Sequence, residues 1–232
     1  MRAEDFEAIR GIRLLAGVEP KHVEKMLRGA FLQRFPAHVE LVREGEPPDF
    51  LHLVVDGQVE IFSAYRDRET TVSVVGPGNS FITAAVMLDR IYLKSARTLA
   101  PARILLIPAD SVRDCFSEDA AFARSIATDL AVAYRSVVKE LKNQKLRSGI
   151  ERLANWLLAQ YESAGRPQRF ELPFEKKVLA SRLGMAPEVL SRSFAALAAY
   201  HVTIDGPHVE IRDAEALNTL AKPTPTIDDP TT

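Results

Sequence analysis

The spacing of apolar residues changes twice along the chain. Near the N-terminus Phe6, Ile9, Ile12 and Leu15 recur at three residues, the interval of one helix face, and Pro20 suits the opening of a second helix carrying Val23, Met26 and Leu27. Residues 4–30 are therefore expected to be helical. From Phe31 to Pro108 the interval falls to two: Val39 and Leu41, then Leu51, Leu53 and Val55, alternate as half-buried strands do, and Ala102 to Ile107 is a last apolar strand. Gly45, Gly57, Gly76, Gly78 and the run Pro47-Pro48-Asp49 punctuate these strands, with Asp56-Gly57 a hairpin candidate. Many short strands at regular spacing predict a compact barrel or sandwich.

Residues 119–146 contain neither Gly nor Pro and predict one long helix. Leu130, Tyr134, Val137 and Leu141 step by four, three and four residues, a coiled-coil seam of about two heptads. The opposing reading is a helix packed only on its own β-domain. Phe122 and Ile126 are placed toward that domain. Gly149 marks a break before a helix from Ile150 to about Tyr161, which puts a hinge at Arg147 to Gly149; a short strand, Arg169 to Leu172, follows.

Glu175 to Ala199 reads as two short helices around a turn. Val178, Leu179 and Leu183 line the first, and Leu190, Phe194 and Leu197 the second. Gly184 suits the left-handed end of a helix and Pro187 the first turn of the next. That is a helix-turn-helix, whose second helix can enter a DNA major groove. On its outward side Glu188, Ser191 and Arg192 share one face, residue types that can bond base edges; an ordinary helical hairpin with a solvated charged face is the alternative. Val202-Thr203-Ile204 and Val209-Glu210-Ile211 flank Asp205-Gly206, a hairpin that turns the unit into a winged helix.

Composition refines this picture. The net charge of −1 over 232 residues does not advertise nucleic-acid binding. The charge is uneven, however: Lys139 to Arg192 holds eleven Lys/Arg against six Asp/Glu, and the balance turns acidic beyond Asp205. Cys115 is the single cysteine, so no intrachain disulfide forms. The N-terminus lacks an apolar signal region and no run reaches the roughly 18 apolar residues of a membrane span, so a cytoplasmic protein with no membrane partner is expected. Residues 222–232, with three prolines and little apolar content, are expected to be a disordered tail.

The run LASRLGMAPEVLSRSFAAL resembles the DNA-binding segment of the CRP/FNR superfamily of bacterial transcription regulators. Glu188, Ser191 and Arg192 match the E-x-x-S-R signature of its FNR branch; the CRP branch has an arginine where Pro187 stands. Ala186 departs from the family's usual Ser or Thr cap, a side chain that contributes about 1 kcal/mol. The resemblance implies an α+β chain: a β-roll similar to cyclic-nucleotide-binding domains (1–118), a dimerisation helix (119–147), a winged helix-turn-helix (148–221) and the tail (222–232). Double-stranded DNA, a second copy of the chain and RNA polymerase are the implied partners. Arg182, Lys176 and Lys177 would meet phosphates, and the half-site would be TTGAT or close to it.

The family's phosphate cassette contains F-x-G-E-L and, further on, R-S-A. Here the matching stretches are Phe81-Ile82-Thr83-Ala84-Ala85 and Lys94-Ser95-Ala96. Ala84 replaces the glutamate that anchors the ribose, Thr83 the glycine, and Lys94 the phosphate-pairing arginine, losing its bidentate fork. Val137 and Val138 stand where the CRP branch offers a Thr-Ser pair to adenine. A buried ribose hydroxyl without a partner is costly, so cAMP is not expected. The pocket is instead expected to be apolar, lined by Phe81, Ile82, Val86, Met87, Leu88, Val137 and Val138. An iron–sulfur cluster, which takes about four thiolates, is excluded by the lone cysteine. Haem, with His22, His38 or His52 as ligand, an anion held by Lys94 and Ser95, or no ligand at all remain open. So does a module that regulates a protein partner; no Ser-His-Asp grouping or metal cluster suggests an enzyme.

Overall fold

The computed structural model describes Ile9 and residues 12–229. The expectations for Phe6 and for the last three residues of the tail lie outside the described residues. The first described elements are shorter than the continuous apolar spacing suggests. Arg13–Leu15 is a single 3-10 turn, and α1 (Pro20–Leu27) opens on its proline.

Two antiparallel sheets follow. The first orders its strands as β1 (Phe31–Phe35), β8 (Ala102–Pro108), β3 (Phe50–Asp56) and β6 (Ser80–Phe81); the second as β2 (Glu40–Val42), β7 (Ser95–Thr98), β4 (Val59–Tyr65) and β5 (Arg68–Val75). The two-residue period sorts β3 and β8 between two cores. Leu51, Leu53, Leu105 and Ile107 face the helices, packing with Met26, Val86, Val112, Phe122 and Ile126. Val54 and Ile104 face the inside of the roll with Val42, Val59, Ile61, Phe81 and Ala96. The expected hairpin at Asp56-Gly57 is corrected: the chain does turn there, but β3 and β4 belong to different sheets and do not pair, so the turn carries the chain from one sheet to the other. Gly57 has φ 84, and a Cβ there would lie 2.6 Å from the Pro101 carbonyl oxygen, so glycine is required both by conformation and by space.

Two helices escaped the apolar pattern: α2 (Thr83–Leu88) within the cassette and α3 (Ala109–Glu118) after the last strand. Then comes α4 (Ala120–Leu146), 27 residues long. Asp119 caps it. Its Oδ1 accepts from Ala121 N at 2.8 Å and Phe122 N at 2.9 Å, while Oδ2 accepts from Glu19 N at 3.0 Å and pairs with His22 Nδ1 at 2.9 Å. The His22 bond first, and then these N–H donors, hold the Asp119 carboxyl well below the ordinary range. Because this pKa is depressed on folding, the capping contribution is complete above the ordinary aspartate value of about 4 and drains away as pH falls below it. Asp119→Asn is expected to lower the urea midpoint at pH 7, with the gap to wild type narrowing below pH ~4. A gap independent of pH would show that the carboxylate charge does not matter.

Phe122 and Ile126 are fully buried against the first core, as their spacing predicted, and Leu130 packs partly against it. The packing changes further along: the chain divides into two compact units between Tyr134 and Arg135, inside α4. The helix itself ends later, at Leu146, where Ser148 and Glu151 form a capping box that opens α5 (Gly149–Ser163).

The second unit continues with β9 (Arg169–Glu171), α6 (Lys176–Arg182), α7 (Pro187–Leu197), a 3-10 turn at Ala198–Tyr200, β10 (Val202–Asp205), β11 (His208–Ile211) and α8 (Ala214–Ala221). The strands form one small antiparallel sheet in the order β10, β11, β9. Its core joins Leu153 and Leu157 of α5 to Leu179, Leu190, Phe194, Leu197, Val209, Ile211 and Leu217. Within the stretch expected to be a disordered tail, Pro225–Asp228 forms a short helical turn, α9, and Asp228 pairs with Arg147.

Candidate nucleic-acid interface and effector site

α6 and α7 are joined by the turn expected from sequence. Gly184 ends α6 in the left-handed region at φ 62, and Pro187 occupies the first position of α7. Ala186 makes no side-chain cap, so the first N–H groups of α7 lack the acceptor a Ser or Thr would supply. Leu190, Phe194 and Leu197 are buried, which turns Glu188, Ser191 and Arg192 outward; all three are exposed. Neither Glu188 nor Arg192 has an ion-pair partner among the described residues. The Arg192 Nε makes only a long bond, 3.4 Å, to the Glu188 carbonyl. Both side chains are therefore available to an external ligand.

Lys176 and Lys177 are exposed at the start of α6. Together with Pro187, Ser191 and Ala195 of α7 and Thr203 of β10 they border a groove of about 400 Å³, floored by Leu190, Phe194, Val202 and Ile204. Arg182, the other expected phosphate contact, is half-buried; desolvation lowers its pKa, and the charge of Glu140 on α4 opposes that shift.

The cassette is also partly rearranged. Phe81 and Thr83 are buried, and Ile82 takes a left-handed conformation at φ 60 where the chain enters α2. Thr83 does more than fill the glycine position. Its hydroxyl donates to Asp129 Oδ2 of α4 at 3.0 Å, and Ser80 Oγ donates to the same oxygen at 2.8 Å. Ala84 is exposed. Lys94 is half-buried without an ion-pair partner among the described residues, and desolvation lowers its pKa. Ser95 is buried and its hydroxyl accepts from Glu44 N at 3.0 Å. The expected apolar lining does not hold for every residue: Val86 and Met87 turn to the helical core, and Leu88 is exposed. Val137 and Val138 lie in the second unit, both exposed on α4.

A second cleft, about 410 Å³, lies beside the cassette between the N-terminal turn and α4, bordered by Arg13, Gly78, Ser80, Arg124, Thr128 and Asp129. Sequence reasoning missed Asp129 and Ser80 because neither belongs to the family's cassette motif. Of the haem candidates, His22 is tied to Asp119 and His38 sits in an exposed turn with φ 61. His52 is buried against Phe81, with Nδ1 donating to the Phe50 carbonyl, and burial lowers its pKa to about 4. A neutral ring with the proton on Nδ1 leaves Nε2 as the free ligand atom. Neither cleft is lined by His52.

These features coincide with known domains. Residues 32–119 match the cyclic nucleotide-binding domain and residues 151–220 the Crp-like helix-turn-helix domain. A solved regulatory protein of Silicibacter pomeroyi DSS-3, described with a provisional assignment as cAMP-binding, is 30% identical over 94% of this chain and 100% of its own, with a TM-score of 0.61. The CRP-like cAMP-activated global transcriptional regulator of Mycobacterium tuberculosis (strain H37Rv) is 23% identical over 90% of this chain and 96% of its own length. FixK2 of Bradyrhizobium japonicum shares the fold, with a TM-score of 0.74 at 20% identity over 84% of this chain and 98% of its own. No described helix is long and apolar enough to cross a membrane. With both domain types in the order that the β-roll and the winged helix occupy here, and a relative at 30% identity along almost the whole length, the chain belongs to the CRP/FNR superfamily of transcription regulators.

Proposed function

We propose that this regulator acts as a homodimer on an FNR-like palindrome, TTGAT or close to it in each half, and that its sensor domain does not use cAMP. One observation carries the DNA reading: Glu188, Ser191 and Arg192 are exposed together on α7, with no ion-pair partner for Glu188 or Arg192 among the described residues, and Ser191 shares a groove with Lys176 and Lys177. Arg192 donates to guanine N7 and O6, Glu188 accepts from an amino group of cytosine or adenine, and Ser191 packs near a thymine. Lys176 and Lys177 meet phosphates and contribute affinity without choice. Pro187 has no donor, so the extra guanine contact of the CRP branch is missing. Tyr134, Val137 and Leu141, exposed at 71%, 61% and 55%, supply the seam for a second copy. Two parallel helices then place the half-sites about 34 Å apart. RNA polymerase is the further partner, and the cytoplasm the place where both are met.

Fluorescence anisotropy against the palindrome and a scrambled duplex at stepped salt tests this reading. Specific binding is expected to be roughly 10³-fold tighter or more, with both affinities falling as salt rises. Equal affinity for the two would favour a module acting on a protein partner.

The sensor reading rests on what stands at the cassette. The relatives described above as cAMP-activated or cAMP-binding carry those descriptions themselves; this chain has Ala84 at the ribose anchor and a Thr83 hydroxyl already committed to Asp129. Lys94, half-buried and without a counter-ion among the described residues, supports a small anion held with Ser95. Calorimetry with millimolar cAMP is expected to show no saturable heat. Micromolar binding that also tightens the DNA complex would overturn this part.

A further inference from the structure

The chain does not leave the second unit after α8. Asn155 Nδ2 donates to the Ala221 carbonyl at 2.6 Å, which fixes the end of α8, and Lys222 then reverses direction at φ 48. Pro223 and Pro225 stiffen the next step. Asp228 and Arg147 form a two-bond pair, Nη1 to Oδ1 at 2.7 Å and Nη2 to Oδ2 at 2.5 Å, with side chains only 8% (Arg147) and 24% (Asp228) exposed. Asp228 Oδ2 also accepts from Thr224 N at 2.6 Å, closing the turn on itself. Lys142 Nζ donates to Thr226 Oγ1 at 2.7 Å and Lys139 Nζ to the Asp229 carbonyl at 2.6 Å.

Arg147 sits between the last residue of α4 and the Ser148 cap of α5. Its carbonyl accepts from Arg152 Nη1 at 2.7 Å, and Arg152 Nε donates to the Leu183 carbonyl at 2.8 Å, in the turn between α6 and α7. Charge-assisted bonds thus run from the tail through the corner residue to the helix-turn-helix. We propose that residues 223–229 are a strap that locks the α4–α5 corner and, through Arg147 and Arg152, fixes how α7 is presented. Lys139 and Lys142 lie on the side of α4 away from Tyr134, Val137 and Leu141, so the strap and a second copy of the chain do not compete.

Two full-length-based variants test it: Asp228→Asn, which keeps shape and removes charge, and a chain ending at Lys222. Hydrogen exchange followed by mass spectrometry is expected to show amides 147–152 exchanging about tenfold faster in both. Affinity for the palindrome is expected to fall about three- to tenfold, the size of a modest coupling between sites. Unchanged exchange at 147–152 in both variants overturns the strap. Faster exchange with wild-type DNA affinity overturns its role in presenting α7. The exchange readout needs no DNA, so it stands or falls separately from the half-site assignment.

Discussion

Leu141→Asp is expected to turn the dimer into a monomer while leaving each chain folded. Leu141 belongs to none of the buried cores and is 55% exposed, so the substitution removes little packing from the single chain. In a paired seam it places an unpartnered carboxylate among apolar side chains, which costs on the order of 3–5 kcal/mol of association. Sedimentation should show monomers at concentrations where wild type is dimeric, with the monomer still unfolding cooperatively at a midpoint independent of protein concentration and a parallel loss of affinity for the palindrome. A variant still dimeric at low micromolar concentration would place the seam elsewhere. Leu130→Asp is a poorer probe, because Leu130 packs partly against the first core and its loss mixes folding with association.

The second large effect concerns Arg192→Ala. Among the described residues the guanidinium makes only a 3.4 Å bond, so its removal leaves the unit intact. Loss of a bidentate guanine contact costs about 1–3 kcal/mol per half-site, and the two-fold repetition doubles it. Anisotropy titrations on palindromes substituted at the guanine should show wild type discriminating and Arg192→Ala indifferent. Lys177→Ala is the matched comparison: it should weaken every sequence alike and lower the salt slope by about one. Discrimination at the guanine that survives Arg192→Ala would assign that base to another residue.

What the sequence disclosed depended on how local the signal was. The helix-turn-helix was readable because its determinants are neighbours: Gly184 and Pro187 punctuate it, and Leu190, Phe194 and Leu197 mark its buried face. The turn at Asp56-Gly57 and the burial of Phe122 and Ile126 were legible for the same reason, but that the strands on either side of this turn join different sheets was not, because strand pairing is set by distant partners. Helices α2 and α3 were not, since α2 is only six residues and α3 mixes charges into a short amphipathic span. The role of Asp129 depends on meeting Ser80 and Thr83 from more than forty residues away. The tail misled for a related reason. Its composition lacks the apolar content that orders a segment alone, yet it is held by polar contacts from distant residues: Arg147 with Asp228 across 81 residues, and the Lys142 and Lys139 bonds to Thr226 and Asp229. The charge of Arg182 is visible in the sequence, whereas its partial burial is not.

Selection of binding sites from random duplex DNA by the wild-type protein tests the central claim most directly. The expected result is a two-fold-symmetric consensus with TTGAT-like halves whose centres lie about one helical turn apart. Enrichment of single, unpaired half-sites, of a palindrome without the guanine, or of no sequence at all would contradict a dimer that reads DNA through Glu188, Ser191 and Arg192.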